Sequence, residues 1–502
     1  MKNPLVIDGH SLRIKDVVQV AKAHRPVVLH RDALTTLNRV RAAVEQLLQE
    51  KKPFYGINTG FGALAEKSIP QSDLKKLQHH LILSHAVGIG EPLSINSARA
   101  LMLLRANALA SGFSGCRGKI PEHLLTLLNA GCAPYVPCKG SVGASGDLAP
   151  LAHLGLLLLG IGDAFVQGKL VSAKKALQHA GLSPLILEAK EGLSLINGTQ
   201  AMAAVGCLAV NDAEQLCLLA DIIGACSLEA LMGIDIPFDP RIHKARPHAG
   251  QAASAKLLRA MLEGSQIRKQ NIQCNKVQDA YSLRCMPQVH GASRGAVAHV
   301  QDILACEINS ATDNPLVFER KHGIDVLSGG NFHGQPLALA LDYLAIATSE
   351  LANISERRME QMLNPNLSCG LPPFLAPQAG INSGFMIMQV AAASLVNENK
   401  VLSHPASTDS IPTSANREDH VSMGMTSANK AAQIVENTYI VLATELLMAC
   451  QGIDLRTPAK PSKRVRRVVE LVRAEIPFAP EDRLFSVDLK KAIALCKSGV
   501  LT

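Results

Sequence analysis

Gly140-Ser-Val-Gly-Ala-Ser-Gly-Asp-Leu-Ala-Pro150 is a glycine-rich stretch that runs directly into the apolar run Leu148 to Leu159. It places Ala144-Ser145-Gly146 between a flexible glycine and an acid. The amide nitrogen of Gly146 can attack the carbonyl of Ala144 and close a five-membered ring. Loss of water then turns Ser145 into a methylidene group, giving 4-methylideneimidazol-5-one. Gly146 has no Cβ, so its nitrogen can reach a carbonyl two residues back through a bend that other residues resist. Gly143 loosens the other side, Ser145 carries the hydroxyl that must leave, and Asp147 is placed to move protons. The product is an electrophile made from the backbone, which no ordinary side chain supplies.

The tripeptide alone is weak. Ala110-Ser111-Gly112 is a second copy, and it ends the helical run Leu101 to Ala110, where it reads as a helix stop. The plain alternative for 140–147 is likewise a turn before a helix. A phosphate cradle is disfavoured, because no Gly-Lys-Ser/Thr follows the glycines.

The 502 residues are 47% hydrophobic and 18% charged, a globular composition with room for more than one structural region. With no Trp, five Tyr and eleven Phe, the core is aliphatic. Helical periodicity dominates. It covers 33–50 and long Ala/Leu-rich segments at 200–232, 291–309, 335–363, 380–401 and 427–451. Many of these are apolar over most of their circumference, as expected of helices buried in a core or against another subunit. Strands are few: Leu5-Val-Ile7, Pro26-Val-Val-Leu29, a hairpin over 164–171 turning at Gln167-Gly168, and another from Leu316 to Leu327 turning at His322-Gly323. The expected fold is mainly α: a long-helix bundle core with a smaller mixed N-terminal region carrying the glycine-rich electrophile loop. The expected division is residues 1–200 for that region, and 201–502 for the bundle and a C-terminal helical tail.

Twelve cysteines lack any Cys-x-x-Cys pair, and the N-terminal residues do not read as a signal peptide. No uninterrupted apolar stretch reaches bilayer length. These features point to a cytoplasmic protein with reduced thiols and no membrane contact. The net charge is +8, but its one dense basic cluster, Lys460 to Arg467, lacks aromatic stacking partners and reads as a solvated helix start, not a nucleic-acid surface. His79, His80 and His85 are close in sequence without a ligand-spaced second cluster, so no metal site is expected.

Polar islands interrupt the helices: Tyr55-Gly-Ile-Asn-Thr-Gly-Phe-Gly62, Leu83-Ser-His-Ala-Val-Gly-Ile-Gly90, Ile196-Asn-Gly-Thr-Gln200, Val277-Gln-Asp-Ala-Tyr-Ser-Leu-Arg284, Ser328-Gly-Gly-Asn-Phe-His-Gly334 and Ser414-Ala-Asn-Arg-Glu-Asp-His420. Such loops commonly carry binding groups. With the 140–147 loop, they make seven motifs whose residues and order resemble the aromatic amino acid ammonia-lyases, from Tyr55 to Gln451-Gly-Ile-Asp-Leu-Arg456.

That resemblance implies elimination of ammonia from an aromatic amino acid by the electrophile formed from Ala144, Ser145 and Gly146, with no external cofactor. It implies a homotetramer whose sites are shared between subunits. Tyr55 matches the catalytic base, although a lone buried Tyr is more often a packed residue whose hydroxyl meets the backbone. Arg284 matches the clamp on the substrate carboxylate. A helical 278–284 would put Gln278, Tyr281 and Arg284 on one side, with Gln278 sharing the carboxylate and Tyr281 near the ring. Asn197 would bond the electrophile or the amine, and Phe332 would exclude water. A surface Arg or core Tyr explains each residue singly, but not the cluster.

His85 and Glu418 set the substrate. Phenylalanine-specific members of the family carry apolar residues at the His85 position, and a carboxylate facing a phenyl ring would be a costly unpartnered charge. The pair therefore implies L-histidine as substrate and trans-urocanate as product, the first step of histidine degradation. Tyrosine stays open, because His can bind a phenol; so do an aminomutase and a non-catalytic helical scaffold. The sequence departs from the family pattern at Arg417, where a neutral residue is usual, at Gln335 and at Met286. Arg417 bears most on substrate, since pairing with Glu418 would weaken imidazole recognition.

Overall fold

The structure is a computed structural model describing residues 3–50, 52–270, 277–321 and 323–502. It is dominated by long helices: Gln200–Ala230, Met286–Glu307, Gln335–Leu363, Met386–Leu402 and Gly424–Asp454. Those spans follow the expected helical segments closely, because apolar residues at three- and four-residue spacing form helices that bury in a bundle. Two of the helices, Gln200–Ala230 and Gln335–Leu363, are long and apolar enough by composition to cross a membrane, although no wholly apolar run of that length is visible in the sequence. They lie 72% and 67% buried over their most apolar windows, which suits core helices.

The chain forms two compact units. The first comprises Met1–Asn211, Val300–Asp342 and Pro405–Asn429; the second comprises Asp212–His299, Tyr343–His404 and Lys430–Thr502. The expected divide near residue 200 follows a change in composition. Compactness instead returns two later segments to the first unit, which a linear reading of composition does not reveal.

All the described strands belong to the first unit. Leu5–Ile7 pairs in parallel with Val27–Leu29, as the short apolar runs suggested. Asp163–Val166 and Lys169–Ser172 form the expected hairpin, with Gln167 and Gly168 both at positive φ, the backbone of a primed turn. The Leu316–Glu319 and Ile324–Leu327 hairpin is also present; His322 of its turn lies outside the described residues. Three strands are additional. Ile89–Pro92 pairs with Pro137–Lys139, and Cys132–Pro134 joins the hairpin strand Asp163–Val166. Their prolines disguise them in sequence, because proline weakens any strand assignment.

Helix Ile95–Ala110 begins at Ser94, whose hydroxyl accepts from Ser97 N at 3.0 Å. It is buried from Ser97 to Ala110. It ends as expected: Ser111 Oγ bonds Ala108 O at 2.6 Å and Gly112 takes φ +86°. The second Ala-Ser-Gly copy is therefore a helix terminus.

In the second unit, the segment 278–284 is not one helix. Ala280 is extended, with φ −58° and ψ 154°, so the helical turn covers only Tyr281–Arg284. Gln278 stands before it in an exposed bend. The shared face expected for Gln278, Tyr281 and Arg284 is thus corrected to a face holding Tyr281 and Arg284 alone. The basic cluster opens helix Lys463–Glu475 behind the cap Ser462, with its charges in solvent and Val465, Val468, Val469 and Val472 inside.

Candidate active site

Strand Pro137–Lys139 delivers the chain into the glycine loop, and helix Leu148–Leu159 takes it out. The loop is clamped by backbone and one side chain from distant sequence. Gly143 O accepts from Ser422 Oγ at 2.9 Å and from Gly334 N at 3.1 Å, while Met423 N donates to Val142 O at 2.8 Å. A Cβ on Gly143 would overlap Ser422 Oγ. Gly146 takes φ +71°, and a Cβ there would overlap the carbonyl oxygen of Gly198. Only glycine fits that contact.

Asp147 is fully buried at the start of the helix. Its carboxylate accepts from Ser141 Oγ and from Met202 N, each at 2.9 Å, and its own N–H donates to Gly198 O at 2.7 Å. Burial pushes its pKa up to about 6, against those hydrogen bonds.

Ser145 opens onto a cavity of about 1130 Å³ in the first unit, also lined by Tyr55, His85, Ala144, Asn197, Phe332 and Glu418. Seven of the residues expected at the site therefore meet in one place. Ser145 Oγ donates to Glu418 Oε1 at 2.8 Å. The other carboxylate oxygen accepts from Thr413 Oγ1 at 2.7 Å. The turn carrying Glu418 is closed by Thr413 N to Glu418 O at 2.9 Å, with Ser414, Ala415 and Asn416 all at positive φ. Three such residues in succession are costly, and backbone strain of this kind concentrates at functional sites.

Both Glu418 oxygens are thus occupied, and Arg417 makes no ion pair with Glu418 among the described residues. The Arg417 side chain is exposed along the same cavity. The feared quenching of Glu418 does not occur.

His85 lies half-buried at the end of helix Leu74–His85. Its Nδ1 faces Leu81 O at 2.9 Å and Ser84 Oγ at 3.0 Å. The carbonyl can only accept, so the proton is assigned to Nδ1 and Nε2 is left as an acceptor. Burial lowers the His85 pKa, opposed by that carbonyl and by the charge of Glu418. The ring is neutral at neutral pH.

Asn197 is 4% exposed. Its Nδ2 donates to Asn314 O at 3.1 Å, while its Oδ1 is buried without a partner. An orphaned acceptor beside a cavity is unfavourable unless a ligand or group completes it. Tyr55 Oη is approached by Gly62 N at 3.4 Å, a loose contact that leaves the phenol addressable from the cavity.

Gln278, Tyr281 and Arg284 belong to the second unit and do not line this cavity. Gln278 and Arg284 line another, of about 360 Å³, and Tyr281 is 70% exposed. The Arg284 guanidinium stands 4.6 Å from the Tyr281 ring centre, and its Nε is buried without a partner. Among the described residues, no group of three or more His, Cys, Asp or Glu is gathered to hold a metal.

Sequence reasoning missed Ser422, Gly334, Asn314 and Arg105. Ser422 and Gly334 stand beside or within polar islands and could have been inferred from them. Arg105 sits in an apolar helical run, where nothing marks it.

The fold and this cavity define a class, and comparison with known proteins agrees. The chain belongs to the aromatic amino acid lyase family, whose model matches residues 12–474. It is 54% identical to a histidine ammonia-lyase of Koribacter versatilis over 99% of this chain and 98% of that one. Among solved structures, it resembles the histidine ammonia-lyase of Trypanosoma cruzi at TM-score 0.92 and 44% identity, covering 99% of this chain and 94% of that chain. It also resembles the tyrosine aminomutase of Streptomyces globisporus at TM-score 0.93 and 36% identity, covering 99% and 97%.

Proposed function

We propose that this chain is a histidine ammonia-lyase: it eliminates ammonia from L-histidine to give trans-urocanate, opening histidine degradation. The observation that carries the substrate assignment is the neutral His85 ring and the Glu418 carboxylate on one cavity wall with Ser145. A neutral imidazole offers one N–H, and an imidazolium offers two, to acceptors such as the Glu418 carboxylate and His85 Nε2. Conversion of Ser145 removes the hydroxyl that occupies Glu418 Oε1, and a phenyl ring would then leave that oxygen desolvated without a donor.

The residues at 144–146 fit a self-formed 4-methylideneimidazol-5-one. The Gly146 nitrogen bonds to the Ala144 carbonyl carbon, whose oxygen leaves as water with the amide hydrogens of Gly146 and Ser145. Ser145 then loses its Cα hydrogen and its hydroxyl as a second water. Three features support the fit. Gly146 is pressed against Gly198 with no room for a Cβ. Asp147 is a buried acid with a pKa near neutrality. The unpartnered Asn197 Oδ1 offers an acceptor at the cavity wall.

When formed, the group supplies an electrophilic carbon to the substrate's amine. The chain's own residues do the rest. Tyr55 takes a β-proton from the substrate, His85 and Glu418 hold its imidazole, and Phe332 keeps water off the reacting atoms. Ordering these groups converts a bimolecular encounter into a positioned one.

A homotetramer with shared sites is part of the same proposal. Helices Gln335–Leu363 and Met386–Leu402 expose Leu339, Ile387, Val390 and Val401, each more than half in solvent, which suits coverage by other copies. Gln278, Tyr281 and Arg284 would serve the cavity of a neighbouring copy, where the Arg284 fork binds the substrate carboxylate. The described cysteines are all unpaired, in keeping with a reducing cytoplasm.

The test is an assay of purified protein on histidine and tyrosine, alongside intact mass. The expected results are conjugated product from histidine and a mass short by two waters. Product from tyrosine alone would favour the tyrosine lyase or aminomutase reading; full mass and no turnover would favour a scaffold. Glu418→Gln is expected to lower kcat/KM for histidine by about tenfold or more, the scale of losing a hydrogen bond to a charged acceptor. Turnover of an aromatic competitor should fall less, and equal loss on both substrates would remove Glu418 as the imidazole reader.

A further inference from the structure

One fully buried cation is not used by this mechanism. Arg105 stands midway along helix Ile95–Ala110 with no exposed surface. Its Nη1 donates to Gln200 Oε1 at 2.6 Å, and its Nη2 donates to the carbonyl of Ser194. Gln200 Nε2 passes the contact on to Thr312 Oγ1 at 2.7 Å. Ser194 and Gln200 bracket Asn197-Gly198-Thr199, the segment that holds the unpartnered Asn197 acceptor.

Gly198 lies directly over this clamp. A Cβ on Gly198 would overlap Gln200 Oε1, and would stand 2.6 Å from Arg105 Nη1 and 2.8 Å from Thr312 Oγ1. On its other side, Gly198 backs the tripeptide. Its carbonyl accepts from Asp147 N at 2.7 Å, and it leaves no space for a Cβ on Gly146. Guanidinium, Gly198 backbone and Gly146 turn thus lie in succession, with the Gln200 and Thr312 side chains against the same face of Gly198 as Arg105.

The arrangement is costly if it serves packing alone. A buried cation loses its hydration, and among the described residues no carboxylate is bonded to Arg105: Asp313, the nearby acid, is bonded to Lys190 Nζ at 3.0 Å. An aliphatic residue would fill the space without that cost. A planar fork with fixed donors does what an aliphatic chain cannot, which is to pin two points of one backbone segment at once.

We propose that Arg105 is a positioning residue for maturation of the tripeptide. Through Ser194, Gln200 and Gly198 it fixes the backbone against which the left-handed Gly146 turn is held during ring closure. The step it governs is formation of the bond from Gly146 nitrogen to Ala144 carbon, with the Ala144 oxygen leaving as water. The inference rests on the electrophile reading above.

The experiment follows intact mass against time from the start of folding of newly synthesised, still unmodified chain, with circular dichroism and Tm on the same samples. Wild type comes first. A full wild-type mass would overturn the electrophile reading and this inference together. With wild type short by two waters, the inference is tested separately by Arg105→Lys, which keeps the charge and loses the fork, and by Gln200→Met, which keeps Arg105 and loses one acceptor. Both are expected to fold, with wild-type helical signal, and to lose water about tenfold more slowly, the effect of one lost charged hydrogen bond. If Arg105→Lys does not fold, Gln200→Met decides. Folded variants maturing at the wild-type rate would overturn the inference. So would a lag that disappears once unfolded material is removed, since that is what a structural role alone produces.

Discussion

Ser145→Ala is expected to abolish turnover while leaving the protein folded. A positioned base supplies about 10²–10⁴-fold, and enzymes commonly reach about 10⁶-fold or more. With the electrophile gone, the base and binding remain, so kcat should fall by at least about 10²-fold. The fold should survive because Ser145 Oγ has one described side-chain partner, Glu418, at the wall of an open cavity. Relative to the unmodified chain, replacement loses one hydrogen bond to a carboxylate, worth about 1.5–3 kcal/mol. Intact mass, Tm and a histidine assay check the three parts of this expectation. A fully active, unmodified variant would sink the electrophile.

Tyr55→Phe is expected to separate maturation from chemistry. Removing the phenol takes away the group assigned to the β-proton, so kcat should drop about 10²–10⁴-fold. The Tyr55 hydroxyl makes only the 3.4 Å contact with Gly62 N, so the loop should keep its place and the mass should still fall by two waters. KM should change little, because the ring is retained at the cavity wall and only the hydroxyl is lost. A variant lacking the water loss would instead place Tyr55 in maturation. A variant with near-normal kcat would remove it as the base.

The site was more legible than the architecture around it. Tyr55, His85, Ser145, Asn197, Phe332 and Glu418 sit in short polar islands that break an otherwise apolar helical pattern, and such islands need a reason. The long helices were legible for a related cause: periodicity survives in sequence even when a helix is apolar nearly all round. The expected helix over 278–284 failed because a four-residue spacing is only potential geometry. Ala280 adopts an extended backbone, and nothing in its side chain announces that.

Arg105 shows the opposite case. In sequence it is one basic residue in an apolar run, the usual sign of a helix edge reaching water. In the structure the helix is buried on every side, and the guanidinium finds Ser194 and Gln200 inside. A residue's neighbours across the fold are set by chain return, and local composition carries no record of them.

By itself the sequence determined the chemistry available: a glycine-flanked Ala-Ser-Gly able to cyclise, a phenol, an imidazole and a carboxylate, each on a loop between helices. Covalent chemistry of that kind depends on residues adjacent in the chain. Only the tertiary structure decided what surrounds it: that Gly198, Ser422 and Gly334 clamp the loop, that Glu418 is bonded to Ser145 and Thr413 and not to Arg417, and that His85 presents a neutral ring. Those outcomes depend on which distant segments are packed together once apolar helices have buried their surfaces, and on the water that packing excludes.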